Sequence, residues 1–171
     1  MSTPRMTETS YIVLGLLELA EPATPYDLKG LAQRSVFNFW SIPHTQIYTE
    51  CQRLAGAGLL EEKREDSGRR RRIYTLTASG REALNAWRAE PTHRMYEVRD
   101  LGVLKLFFGA DPAQLAPAQV EAHQRKLDEF EAIAAEFPEM PEGSRLALEM
   151  GIAHEREFIR FWSELEKGKR D

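Results

Sequence analysis

Four consecutive arginines, Arg69, Arg70, Arg71 and Arg72, form the densest positive charge in this 171-residue sequence. A guanidinium presents a planar fork of N–H donors that fits carboxylate or phosphate oxygens. A second constellation is mostly uncharged. Thr45, Thr49 and Gln52 recur at helical spacing, with Tyr48 and Arg53 beside them and His44 just ahead. These side chains offer short donors and acceptors, suited to hydrogen-bonding a polar edge at close range. A merely solvated helix face would more often carry Glu and Lys.

Catalytic chemistry has no comparable support. The chain holds no phosphate-cradling Gly-rich loop, no paired metal motif and no nucleophile elbow. His44, His93, His123 and His154 are scattered, and His154-Glu155 lacks the second histidine that a zinc-protease string needs. The one cysteine, Cys51, rules out an internal disulfide and a multi-thiolate zinc site. It falls on an apolar helix stripe, so a core thiol is expected rather than a redox sensor. No enzyme activity, cofactor or metal is expected.

The elements that must position the two constellations can be read in order. Ser10 is a candidate cap for a first helix from Tyr11, apolar almost all round and ended by Glu21-Pro22. Thr24, Pro25 and Asp27 start a short second helix with Leu28 and Leu31 inward. An aromatic connector, Phe37 to Trp40, leads to a third helix over roughly 43–56. Ile47, Cys51 and Leu54 are its buried stripe, and Thr45, Thr49 and Gln52 lie opposite. Strands over 59–65 and 71–77 flank the turn Asp66-Ser67-Gly68, which places the arginine run at a hairpin tip. Thr77 then caps a fourth helix through Arg81, Leu84 and Trp87.

Helix, helix, helix, basic hairpin, helix is the order of a winged helix-turn-helix. In that fold the third helix enters the major groove of double-stranded DNA while the wing and helix ends hold phosphates. The net charge of −4 argues against such a partner until its distribution is read. Residues 1–90 carry 12 Lys and Arg against 11 Asp and Glu, whereas residues 91–171 carry 11 against 16. A near-neutral half with a focused basic cluster precedes an acidic half, which is a poor DNA surface but a serviceable scaffold.

The sequence resembles the PadR family of transcriptional regulators. The resemblance is carried by Tyr11-Ile12-Val13-Leu14-Gly15-Leu16-Leu17, Pro25-Tyr26-Asp27-Leu28, Ile47-Tyr48 with Arg53-Leu54, Gly58-Leu59-Leu60, and Tyr74-Thr75-Leu76-Thr77-Ala78-Ser79-Gly80-Arg81. It continues through Val98-Arg99-Asp100, Leu104 to Gly109, and Gly151-Ile152-Ala153-His154-Glu155-Arg156, as in the longer subfamily with a helical C-terminal domain. Thr24-Pro25-Tyr26 replaces the His-Gly-Tyr frequent in the family, a capped start in place of a glycine. The resemblance implies a homodimer, a palindromic operator and repression by default. Some members respond to small aromatic or phenolic compounds, so a small aromatic effector is a candidate partner.

The expected organisation is therefore a mainly α chain with one small β-hairpin. Residues 1–90 form the DNA-binding domain and residues 91–171 an α-helical dimerisation domain. A helix is expected from the cap Thr92 to Phe108, another from Asp111-Pro112, and a last one over 144–165. Val120, Leu127 and Ala134 recur every seven residues, offset from Phe130 and Phe137, and Leu148, Ile152, Ile159 and Trp162 form a facing stripe. Val120, Leu127, Phe130, Ile152, Ile159 and Trp162 are the candidate dimer interface, which would be isologous. The leader is polar and the early run Ile12 to Leu17 is too short to span a bilayer, so a cytoplasmic location and no membrane partner are expected. Two other readings stay open: a winged-helix module that binds protein instead of DNA, and a MarR-type regulator, which shares the wing signature but usually has extra helices first.

Overall fold

The computed structural model describes residues 5–65 and 71–168. They form two compact units, divided between Arg94 and Met95.

The first unit is built around an unusually apolar helix. α1 (Glu8–Ala20) buries Val13, Leu14, Leu16 and Leu17 because neighbours cover it on several sides. Its cap is Thr7, not Ser10 as expected from the sequence. Ser10 is the third helical residue, and its hydroxyl oxygen accepts a hydrogen bond from the Thr7 amide at 2.8 Å. α2 (Pro25–Gln33) starts as read: Thr24 and Asp27 close a capping box, and Pro25 stands in the first turn, where no amide is needed. A single 3-10 turn (Val36–Asn38) leads to α3 (His44–Gly56). Ile47, Cys51 and Leu54 are fully buried beneath it, the stripe the spacing required.

β1 (Leu60–Arg64) and β2 (Arg72–Leu76) pair antiparallel, from Leu60 opposite Leu76 to Arg64 opposite Arg72. Pleating puts Leu60, Tyr74 and Leu76 against the core. Ala23 exchanges two backbone hydrogen bonds with Tyr74, tying the α1–α2 connection to the hairpin. α4 (Ala78–Ala89) starts at Thr77, whose hydroxyl accepts from the Gly80 amide at 3.1 Å. It returns to α1, where Trp87 stacks on Tyr11 with ring centroids 4.6 Å apart.

The second unit is a helical hairpin with a short leading helix. α5 (Leu101–Phe107) is capped by Asp100, which accepts from the Val103 amide at 2.9 Å. The helix expected from Thr92 is thus corrected: residues 91–100 have no regular structure. The Asp100 carboxylate is the stronger local start signal, and Met95, Tyr96 and Val98 find no buried seat. α6 (Pro112–Glu136) and α7 (Glu142–Glu166) pack antiparallel, since Phe130 meets Gly151 while His123 meets Glu155. Gly151 allows the close approach, because a Cβ there would lie 2.9 Å from the Phe130 ring. Among the described residues no helix is long and apolar enough to cross a membrane.

Candidate nucleic-acid interface

α3 divides cleanly by side. Its inner stripe is anchored in the core, and His44, Thr45, Tyr48, Thr49 and Gln52 are all exposed. Thr49 donates its hydroxyl to the Thr45 carbonyl at 3.3 Å, leaving its methyl outward-capable and its oxygen lone pairs free to accept. His44 lies against Phe37 of the 3-10 turn, with centroids 5.5 Å apart. These five side chains share the outer side of α3.

Arg53 differs from its companions. Its Nε and Nη2 donate to both Glu50 oxygens, at 2.9 and 2.6 Å, and Nη2 also reaches the Ser10 hydroxyl at 3.0 Å. Ser10 in turn donates to Glu50 at 2.6 Å. Arg53 thus ties α3 to α1 through Glu50 and Ser10, while its side chain stays 37% exposed. Glu50 is almost fully buried. Burial pushes its carboxyl up, but hydrogen bonds from Arg53 and Ser10 and the Arg53 charge outweigh this, holding it below the usual carboxylate range. Sequence reasoning missed Glu50, although it sits three residues before Arg53, a spacing that pairs side chains on a helix.

The wing carries its arginines in company. Arg72 approaches Glu62 at 3.4 Å, Arg64 reaches the same carboxylate at 3.3 Å, and the Tyr74 hydroxyl donates to it at 2.9 Å. Burial pushes Glu62 up, and these donors more than reverse the effect. Arg71 forms a fork with Glu65, at 3.1 and 3.0 Å, which lowers the carboxyl and raises the guanidinium. Arg69 and Arg70 lie outside the described residues.

The predicted dimer residues separate into two groups. Leu127, Phe130 and Trp162 are buried within one copy of the chain, Phe130 against Gly151 of α7 and Trp162 beside Gly102 of α5, and leave little surface for a partner. This corrects their reading as interface: the heptad seam is satisfied intramolecularly. Val120, Ile152 and Ile159 are half-buried. Met95, Tyr96, Leu146 and Met150 are exposed in this unit, and so, by more than half, are Leu101, Leu104 and Phe107 on α5 and Phe108 just after it. Periodicity did not flag those on α5, because a seven-residue helix is too short to show an interpretable stripe.

Three helices, an antiparallel hairpin with charged arms and a returning helix define a winged helix-turn-helix protein. Residues 13–86 match the model of the transcriptional regulator PadR-like family. The chain is 29% identical over 133 residues to the negative transcriptional regulator PadR of Bacillus subtilis, spanning 74% of this chain and 72% of that protein. Its fold is similar to that of B. subtilis PadR in complex with operator DNA, with a TM-score of 0.81 and 24% identity over 94% of this chain and 98% of the other. It is also similar to the same regulator in complex with p-coumaric acid, with a TM-score of 0.77 and 23% identity over 98% and 100% of the two chains.

Proposed function

We propose that this chain is a sequence-specific, double-stranded-DNA-binding transcriptional repressor that acts as a homodimer on a palindromic operator. The observation that carries the reading is the outer face of α3. Thr45, Tyr48, Thr49 and Gln52 stand exposed on a helix whose opposite side is locked into the core. Gln52 has the amide geometry to pair with adenine, and the threonine methyls suit thymine. In this reading Tyr48 and His44 meet the phosphate backbone, as do Arg71 and Arg72 on the wing. Similarity to a regulator solved on operator DNA supports this assignment.

One winged helix covers about one half-site, so tight binding calls for two. The exposed apolar side of α5 supplies surface that a second copy would cover. A small aromatic acid is the effector class to test, because a similar regulator was solved with p-coumaric acid.

The test is fluorescence anisotropy with a duplex from upstream of the chain's own gene, against a scrambled duplex of equal length. The repressor reading expects tighter binding to the first, with Gln52→Ala reducing the preference. A winged-helix module that binds protein would show no preference between the duplexes.

A further inference from the structure

The described arginines of the wing are each seated on a carboxylate. Arg64 and Arg72 face each other across the hairpin, a like-charge pair that is unfavourable by itself. Glu62 lies on the same face one pleat away and receives both, together with the Tyr74 hydroxyl. Just beyond, Glu65 and Arg71 extend the ladder by a backbone bond of 3.1 Å and close the bidentate fork. Both glutamates are less exposed than the arginines they hold, with side chains 22% and 26% exposed against 40–63% for the guanidinium bearers. The acids are therefore set into the wing and the bases project from it.

Phosphate binding by these arginines competes with carboxylates already in place. A guanidinium leaving Glu65 for a phosphate exchanges one anion for another, and the freed carboxylate then stands beside the DNA backbone. That penalty is the same for every sequence, whereas contacts from α3 favour only a matching one. A uniform penalty suppresses binding where phosphates are the only reward.

We propose that Glu62 and Glu65 are specificity-determining residues: seated on the wing arginines, they hold down sequence-independent attraction to DNA so that binding depends on α3. This rests on the DNA-binding reading above. It assigns the acids a role distinct from reinforcing the hairpin, because exposed ion pairs contribute little to stability.

The experiment compares the wild-type chain with Glu65→Gln, Glu62→Gln and the control Glu61→Gln. Glu61 is an exposed wing glutamate with no arginine partner among the described residues. Glutamine keeps an acceptor for Tyr74 and Arg71, so the hairpin is retained, which thermal melting of each variant verifies. Affinity is measured by anisotropy across a salt series, on a duplex enriched by the wild-type chain from a random library and on an unselected duplex of equal length. Glu65→Gln and Glu62→Gln are expected to tighten binding to the unselected duplex by roughly fivefold and to steepen its salt slope by about 0.9 for each arginine released to phosphate. The selected duplex should gain less, narrowing the ratio between them, and Glu61→Gln should change the ratio least. Unchanged or weaker binding to the unselected duplex, or an equal effect of Glu61→Gln, would overturn the proposal while leaving the DNA-binding reading intact. If the wild-type chain enriches no sequence at all, both fall.

Discussion

Arg53 and Glu50, one turn apart on α3, close a two-point ion pair at 2.6 and 2.9 Å, and Ser10 of α1 bonds to both partners. The triad joins the helix that carries the proposed reading face to the helix at the centre of the core. It fixes how α3 lies on α1 by direction as well as by packing. Arg53→Ala would leave the buried Glu50 carboxylate with only Ser10 as donor. An underpaired buried group costs about 1–3 kcal/mol. Urea denaturation should show a loss of that size, with Ser10→Ala causing a smaller one. A change near zero for Arg53→Ala would mean that the triad does not hold α3.

Acid should weaken the same triad. The Glu50 carboxyl is held below its usual value in the fold, so its contribution is present above the unfolded value of about 4.3 and is lost as pH falls through the lower folded value. Glu21, Asp27 and Glu62 are shifted in the same direction, so the whole first unit should lose stability below about pH 4. Glu50→Gln should flatten this loss relative to the wild-type chain in denaturation curves between pH 3 and pH 6. Parallel curves for the two proteins would contradict the assignment.

Gly80, in the first turn of α4, is expected to be irreplaceable. A Cβ there would stand 2.2 Å from the Leu59 carbonyl oxygen, a backbone atom that cannot swing aside. Gly80→Ala should therefore cost about 1–3 kcal/mol, as overpacking does. Gly15→Ala in α1 meets nothing within 4 Å and should gain up to about 1 kcal/mol from helix propensity. Opposite signs in thermal melting are the expected result.

Cys51 should be inert in the folded chain. Burial pushes its thiol up to about 12, and the Glu50 charge adds to the effect. At pH 8 a thiol reagent should label it only after denaturant is added. Rapid native labelling would contradict its place in the core.

Local signals in the sequence carried most of the first unit. Thr24 with Asp27, Thr77 before α4, and the paired strands all depend on neighbours a few residues away, and the structure has them where the residues implied. The α3 face was legible because three buried positions set its orientation. What could not be read depends on distant partners. Ser10 looks like a cap until Glu50, forty residues on, is seen to take its hydroxyl. Arg53 looks unpartnered beside the outer face until that same carboxylate is seen to hold it. The heptad positions Leu127 and Phe130 look available to a partner until α7 covers them. Periodicity reveals that a stripe is buried, not whether its cover comes from the same chain.

Selection from a random-sequence duplex library, with the wild-type chain and with Gln52→Ala and Thr49→Ala, tests the central claim most directly. We expect the wild-type chain to enrich a two-fold symmetric sequence with half-sites about 10 base pairs apart, or a multiple of that spacing. The α3 variants should enrich altered or relaxed half-sites at unchanged spacing. Enrichment of one identical sequence by all three proteins, or of none by the wild-type chain, would contradict the assignment of α3 as the reading helix.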